Sequence, residues 1–155
     1  MEAANREQNI TQVMRWVIQS NLQVTTVSNS NHDFVIQFSE TATLPDIQIV
    51  HQKLDSAFVL IVGQVKIPQS DREKLKNLKR EKFSDFIWSL KLNLLNIGVD
   101  FTVLGSERDP DSWEIQKRLF LNDTNTSQFY EAYSKVKYAL IGIIWSYKRE
   151  LDLKG

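Results

Sequence analysis

Residues Ala57-Phe58-Val59-Leu60-Ile61-Val62-Gly63-Gln64-Val65 open with an unbroken apolar run from Ala57 to Val62 that shows no polar alternation. A run of strand length, rich in β-branched residues and too short for a helix of ordinary length, reads as a β-strand. The lack of alternation marks a central strand covered on both faces. It predicts helices on both sides of a sheet, or a second subunit over one side.

Working outward toward the N-terminus, Lys53-Leu54-Asp55-Ser56 reads as a hairpin connection. Before it, Pro45 opens a strand in which Ile47 and Ile49 alternate with Gln48 and Val50; proline at a strand start loses no ladder bond. Phe34, Ile36 and Phe38 alternate with Val35, Gln37 and Ser39 as in a half-buried strand. Ser28-Asn29-Ser30-Asn31 is a turn signal, and residues 22–28 lean toward β structure only weakly. Ile10, Val13, Met14, Val17 and Ile18 follow helical spacing, Asn21 is a plausible stop, and Trp16 falls off that face.

Toward the C-terminus, Ser70-Asp71-Arg72-Glu73 has the form of a capping box, with Ile67 before it as a staple. One helical stripe runs on through Leu75, Leu78, Phe83, Phe86, Ile87, Leu90, Leu94 and Ile97 to a stop at Gly98. Val99, Phe101 and Val103 form a strand, residues 105–112 a loop, and Trp113, Ile115, Leu119 and Leu121 one face of another strand, interrupted by Lys117. A turn and N-cap lie within residues 122–127. The last helix carries Phe129, Tyr133, Val136, Leu140, Ile143, Ile144, Tyr147 and Leu151. The expected order is α-β-β-β-α-β-β-α: an α+β domain with a twisted antiparallel sheet of about five strands and three helices.

With 155 residues, 1–155 reads as a single domain. Basic and acidic residues balance at 19 each, which argues mildly against a dedicated nucleic-acid or membrane binder. The absence of cysteine removes disulfides, thiol catalysis and cysteine-based metal sites. Residues 1–8 are polar and do not read as a signal peptide, and the longest apolar run, 139–145, is far short of the roughly 20 residues that span a bilayer. A cytoplasmic protein is expected.

The element order and apolar pattern resemble the type III secretion chaperone-like fold, and more closely an uncharacterised, mainly archaeal family assigned to it. The matching stretches are Asp33-Phe34-Val35-Ile36-Gln37-Phe38, Pro45-Asp46-Ile47-Gln48-Ile49-Val50-His51, residues 58–65, and the second helix running into Val99-Asp100-Phe101. Residues 115–121, Phe129 and the final helix complete the match. The resemblance implies a twisted antiparallel sheet, three helices and frequent homodimerisation. It carries over no catalytic residue, and a shared fold does not transfer an activity.

Reactive constellations are sparse. The two histidines pair in sequence with nearby carboxylates, His32 with Asp33 and His51 with Asp55, but no metal-ligand spacing surrounds either, so neither is read as a metal ligand. No nucleophile elbow or phosphate-binding glycine loop occurs. Glu107, Asp109 and Asp111 read as a solvated acidic loop or a weak cation site. Lys74, Lys76, Lys79, Arg80 and Lys82 make the start of the second helix basic, a candidate anion-binding surface. Trp88, Leu92 and Leu95 widen the stripe of that helix beyond what one sheet face needs and are the candidate dimer interface.

The expectation is a non-enzymatic protein-interaction or chaperone-like module, a homodimer with a further protein or peptide as partner and with no cofactor. The alternative is weak nucleic-acid or polyanion binding through the basic helix start.

Overall fold

The computed structural model describes residues 2–27, 32–39, 44–53 and 56–152. The turn expected at 28–31 lies outside them, as do Leu54 and Asp55. Within them the chain runs α1 (Glu2–Gln19), β1 (Gln23–Val27), β2 (Phe34–Ser39), β3 (Ile47–His51), β4 (Phe58–Lys66), α2 (Gln69–Lys76), α3 (Arg80–Ile97), β5 (Asp100–Ser106), β6 (Asp109–Phe120) and α4 (Thr126–Asp152). The α+β class stands. The sheet has six strands where about five were expected, and the helices number four, not three.

Every strand pairing is antiparallel, in the order β1-β2-β3-β4-β6-β5. The sixth strand is the weak stretch after α1, which pairs with β2 despite a bulge between Val24 and Thr26. The fourth helix arises from a break at residues 77–79. Asn77 closes α2 with its N–H on the Lys74 and Leu75 carbonyls, and Lys79 is extended (ψ 145°) before α3 begins. The break lets α2 pack on β6 while α3 turns to pack on α4 and β5. The capping box is not used either: α2 starts at Gln69, and the Pro68 carbonyl accepts from the N–H groups of Asp71 and Arg72.

The other stops follow the sequence. Asn21 adopts φ 58°, while Leu22 N–H reaches Val17 O and Asn21 N–H reaches Ile18 O, the double bond of a Schellman end. Gly98 has φ 86° and donates to the carbonyls of Leu94 and Leu95. Asn125 and Gln128 cap α4 reciprocally at 2.9 Å each.

β4 is central, as expected, but among the described residues the helices cover only one of its faces. Val59, Ile61, Gly63 and Val65 are buried, and the alternate residues Phe58, Leu60, Val62 and Gln64 are half-buried. The helices build one core against the first set. On the opposite face, cross-strand neighbours shield one another: Val35 stands opposite Val50, and Val50 opposite Leu60. Arg118 lies over the Phe58 ring at 4.4 Å. Apolar groups side by side on a sheet remove much of their area from water without a second layer, which is why the run could be apolar throughout.

α4 lies across β4 and β6 and places its expected stripe in the core, Ile144 alone being half-buried. Each fully buried aliphatic or aromatic side chain of this kind contributes about 1.5–3 kcal/mol. Trp113 Nε1–H donates to the Tyr147 hydroxyl at 2.9 Å within that core. Trp16, the residue off the expected face of α1, is only 3% exposed and stacks on Phe129 at 5.8 Å, whereas Ile18 is turned to solvent. The helix is rotated from its apparent apolar face because its neighbour is α4 as well as the sheet. Lys117, the interruption in β6, sends its ammonium to Gly98 O at 2.7 Å.

The expected loop at 105–112 is instead the tip of the β5–β6 hairpin. Gly105 (φ 99°) opposes Pro110 beside a bulge, and a Cβ at Gly105 would meet Asp109 O at 2.6 Å. Asp109 binds Arg72 through two bonds (2.9 and 2.7 Å) and Lys76 at 2.9 Å, which anchors α2 to the hairpin.

Two predictions follow from this packing. A Cβ on Gly63 would fall 2.5 Å from Leu140 Cδ1, inside the packed core. Gly63→Ala should therefore cost about 1–3 kcal/mol in urea denaturation; a loss below about 0.5 kcal/mol would contradict the close approach. Arg72 first, then Lys76, hold the Asp109 carboxyl down to about 2. A carboxyl with a lower pKa in the folded state adds stability above its unfolded value of about 4 and loses it as pH falls toward about 2. Amide exchange in α2 should accelerate across that window, and Asp109→Asn should abolish the acid dependence. An identical acid profile in the variant would show that the anchor carries nothing.

Candidate functional site

α3 buries Phe86, Ile87, Leu90 and Leu94 and leaves a second apolar face outside. Trp88 is 61% exposed, Leu92 55% and Leu95 61%. Spacings of four and three residues put the three on one side of the helix. The expected surplus stripe is thus a real surface feature, because the core needs only the opposite side. Lys91 lies 5.5 Å from the Trp88 ring centroid and holds a cation beside the aromatic surface.

This face borders a sheet edge. β5 pairs only with β6 among the described strands, so its other side offers unpaired backbone groups. Between α3 and the β5–β6 hairpin runs a groove of about 440 Å³ whose mixed lining includes Phe83, Trp88 and Val103 alongside the charged Arg80, Glu107 and Arg108. Leu104 of β5 is also exposed. An exposed aromatic, flanking leucines, a groove and an open strand edge can seat an apolar protein surface or an added strand.

Sequence reading missed a second exposed pair, Tyr138 and Trp145 on α4. Their spacing of seven residues, opposite the buried stripe, was the available signal.

The basic residues do not form one free patch. Lys74, Lys79, Arg80 and Lys82 are exposed, split between the end of α2 and the start of α3. Lys76 is drawn onto Asp109 together with Arg72. The basic helix start and the acidic loop, read separately in the sequence, therefore partly neutralise each other. Among the described residues, no group of three His, Asp or Glu side chains could hold a metal ion.

Asp55, read as a partner of His51, lies outside the described residues, while Asp33 is drawn to His51. His51 is fully buried, with Nδ1 2.7 Å from Asp33 Oδ2 and Nε2 2.8 Å from Ser56 O. Arg6 Nε–H donates to Asp33 Oδ1 at 3.0 Å. Asp33 thus serves His51, not its sequence neighbour His32, because β2 and β3 pair Phe34 with His51 and bring Asp33 alongside. With a carboxylate at one ring nitrogen and a carbonyl at the other, His51 presents neither to a substrate or metal. Through Asp33 and Arg6 it ties α1 to the sheet.

Among the described residues no helix is long and apolar enough to cross a membrane. Comparison with known proteins matches no curated protein. Among solved structures, the chain is similar to an uncharacterized protein from Methanothermobacter thermautotrophicus, with a TM-score of 0.82 at 17% identity over 92% of this chain and 99% of that one. It is less similar to YbjN of E. coli, described as a candidate transcription regulator, with a TM-score of 0.50 at 10% identity over 90% of each chain. At these identities the likeness is one of fold. The family model of an uncharacterized conserved protein, DUF2299, matches residues 9–147, and the chain belongs to that family.

Proposed function

We propose that this chain is a non-enzymatic interaction module that works as a homodimer through α3. The observation that carries the proposal is the exposure of Trp88, Leu92 and Leu95 on one side of a helix whose other side is already packed into the core. Large apolar side chains gathered on one face lose free energy to water and regain it when a second surface covers them. The groove beside Trp88 and the open edge of β5 extend the same surface and give it polar backbone groups to pair. The engaged state of both His51 ring nitrogens supports an interaction role over an acid–base one.

A chaperone-like role is the finer form of the same reading. It draws on an antiparallel sheet with its helices gathered on one face and on the exposed helix beside it. The alternative, polyanion binding by Lys74, Lys79, Arg80 and Lys82, loses weight because Lys76 is committed to Asp109.

Light scattering at micromolar concentration should report twice the 18.0 kDa chain mass. Leu92→Lys should shift the protein to the single-chain mass while changing its stability by no more than about 0.5 kcal/mol, since Leu92 is exposed. A wild-type protein of single-chain mass would overturn the dimer.

A further inference from the structure

α4 carries an exposed stripe that neither the core nor α3 uses. Trp145, at 69%, is the most exposed large apolar side chain among the described residues, and Tyr138 is 62% exposed. Ile141 and Gly142, both half-buried, lie between them. Spacings of three, four and seven residues set these four on one side of the helix, away from the stripe that packs on the sheet. α1 and α3 meet α4 through Phe129 and Tyr147 of the buried stripe and leave the outer one uncovered.

Gly142 is the unusual member. Glycine is the poorest helix former after proline, yet it stands in the interior of this helix. A Cβ there would meet nothing within 4 Å, so packing inside the chain does not call for glycine. The missing side chain leaves a notch in the helix surface, bordered by Tyr138, Ile141 and Trp145, where another molecule can come close. The two ends of the stripe differ in charge. Glu131, seven residues before Tyr138, and Arg149, four after Trp145, continue the same side of the helix, and both are exposed. Glu131 also holds Lys135 at 3.1 Å.

We propose that this face binds α4 of a second copy of the chain in an antiparallel crossing, with Tyr138 of each copy seated over Gly142 of the other. That placement fixes the register, and the same register sets Glu131 of each copy opposite Arg149 of the other. The contact is isologous, so each of these pairs occurs twice. A large ring fills a notch, Ile141 and Trp145 are covered between the helices, and opposite charges meet at both rims. A parallel crossing would set Glu131 beside Glu131 and Arg149 beside Arg149, so charge selects the antiparallel one. An unrelated partner would have to supply both the ring and the charges, whereas a second copy already carries them. The contact uses none of the residues of the α3 face and does not depend on it; where α3 joins two chains, α4 joins two such pairs.

Sedimentation velocity of the full chain, from about 5 μM to about 500 μM, spans the range in which so small a contact associates. The wild type should rise from twice to four times the 18.0 kDa chain mass. Gly142→Leu fills the notch. It should melt no lower than the wild type, since the new Cβ meets nothing in the chain and leucine favours the helix, and it should lose the upper step. Glu131→Arg and Arg149→Glu should each weaken that step about tenfold, and the double exchange should restore it to within about threefold of the wild type. A wild type that stops at twice the chain mass would overturn the α4 contact and leave the α3 dimer. An upper step that survives Gly142→Leu, or a double exchange no better than the single variants, would do the same. A wild type that rises only from one chain mass to two, with the rise lost in Gly142→Leu and kept in Leu92→Lys, would remove the α3 dimer and keep the α4 contact.

Discussion

α4 packs against β4, β6 and the other three helices, and it comes so close to β4 at Gly63 that Leu140 occupies the room a β-carbon would need. That approach brings the helix down onto the middle of the sheet, where the bond from Trp113 to Tyr147 ties the other end of the crossing. α4 then serves as the support for the other helices. Trp16 of α1 stacks on Phe129 near its start, and Phe86 of α3 meets Tyr147 edge-on at 5.0 Å. A side chain at position 63 would force the Leu140 side chain to shift within the packed core, and packed interiors transmit displacement.

This arrangement leaves the helices on one side and sets what the molecule presents to its surroundings. α3 is held by one face only, so Trp88, Leu92 and Leu95 remain outside. The sheet is asymmetric at its ends: among the described strands β5 pairs only with β6, and β4 pairs with β6 as far as Lys66 but with β3 only as far as Gly63. Two clusters of ion pairs and hydrogen bonds hold peripheral elements in place. Arg72 and Lys76 on Asp109 fasten α2 to the hairpin, and Arg6 and His51 on Asp33 fasten α1 to β2 and β3. Each joins residues far apart in the chain.

Much of the architecture was legible in the sequence because it is encoded locally. Strand alternation in residues 34–39 and 47–51, the stripe of α4 and the stops at Asn21 and Gly98 depend on residues within one or two turns of each other. The surplus face of α3 was legible for the same reason: more apolar residues lie around the helix than one buried side can hold. The different lengths of the two β4 pairings, to Gly63 with β3 and to Lys66 with β6, were not legible, because register cannot be read from either strand alone. The pairing of His51 with Asp33 was hidden likewise, since it is made across two strands.

The sequence by itself determined most of the segments that are helix or strand, where most of them stop, and that α3 carries an apolar face to spare. These are consequences of period and capping, which act over a few residues. Only the tertiary structure decided that the apolar run of β4 is covered on one face, that the second helix breaks after Lys76, that Trp16 rather than Ile18 enters the core, and that Asp109 takes Lys76 out of the basic group. Each of those outcomes turns on which element lies beside which. A side chain's burial and partners are set by neighbours distant in the chain, and residue periodicity carries no information about them.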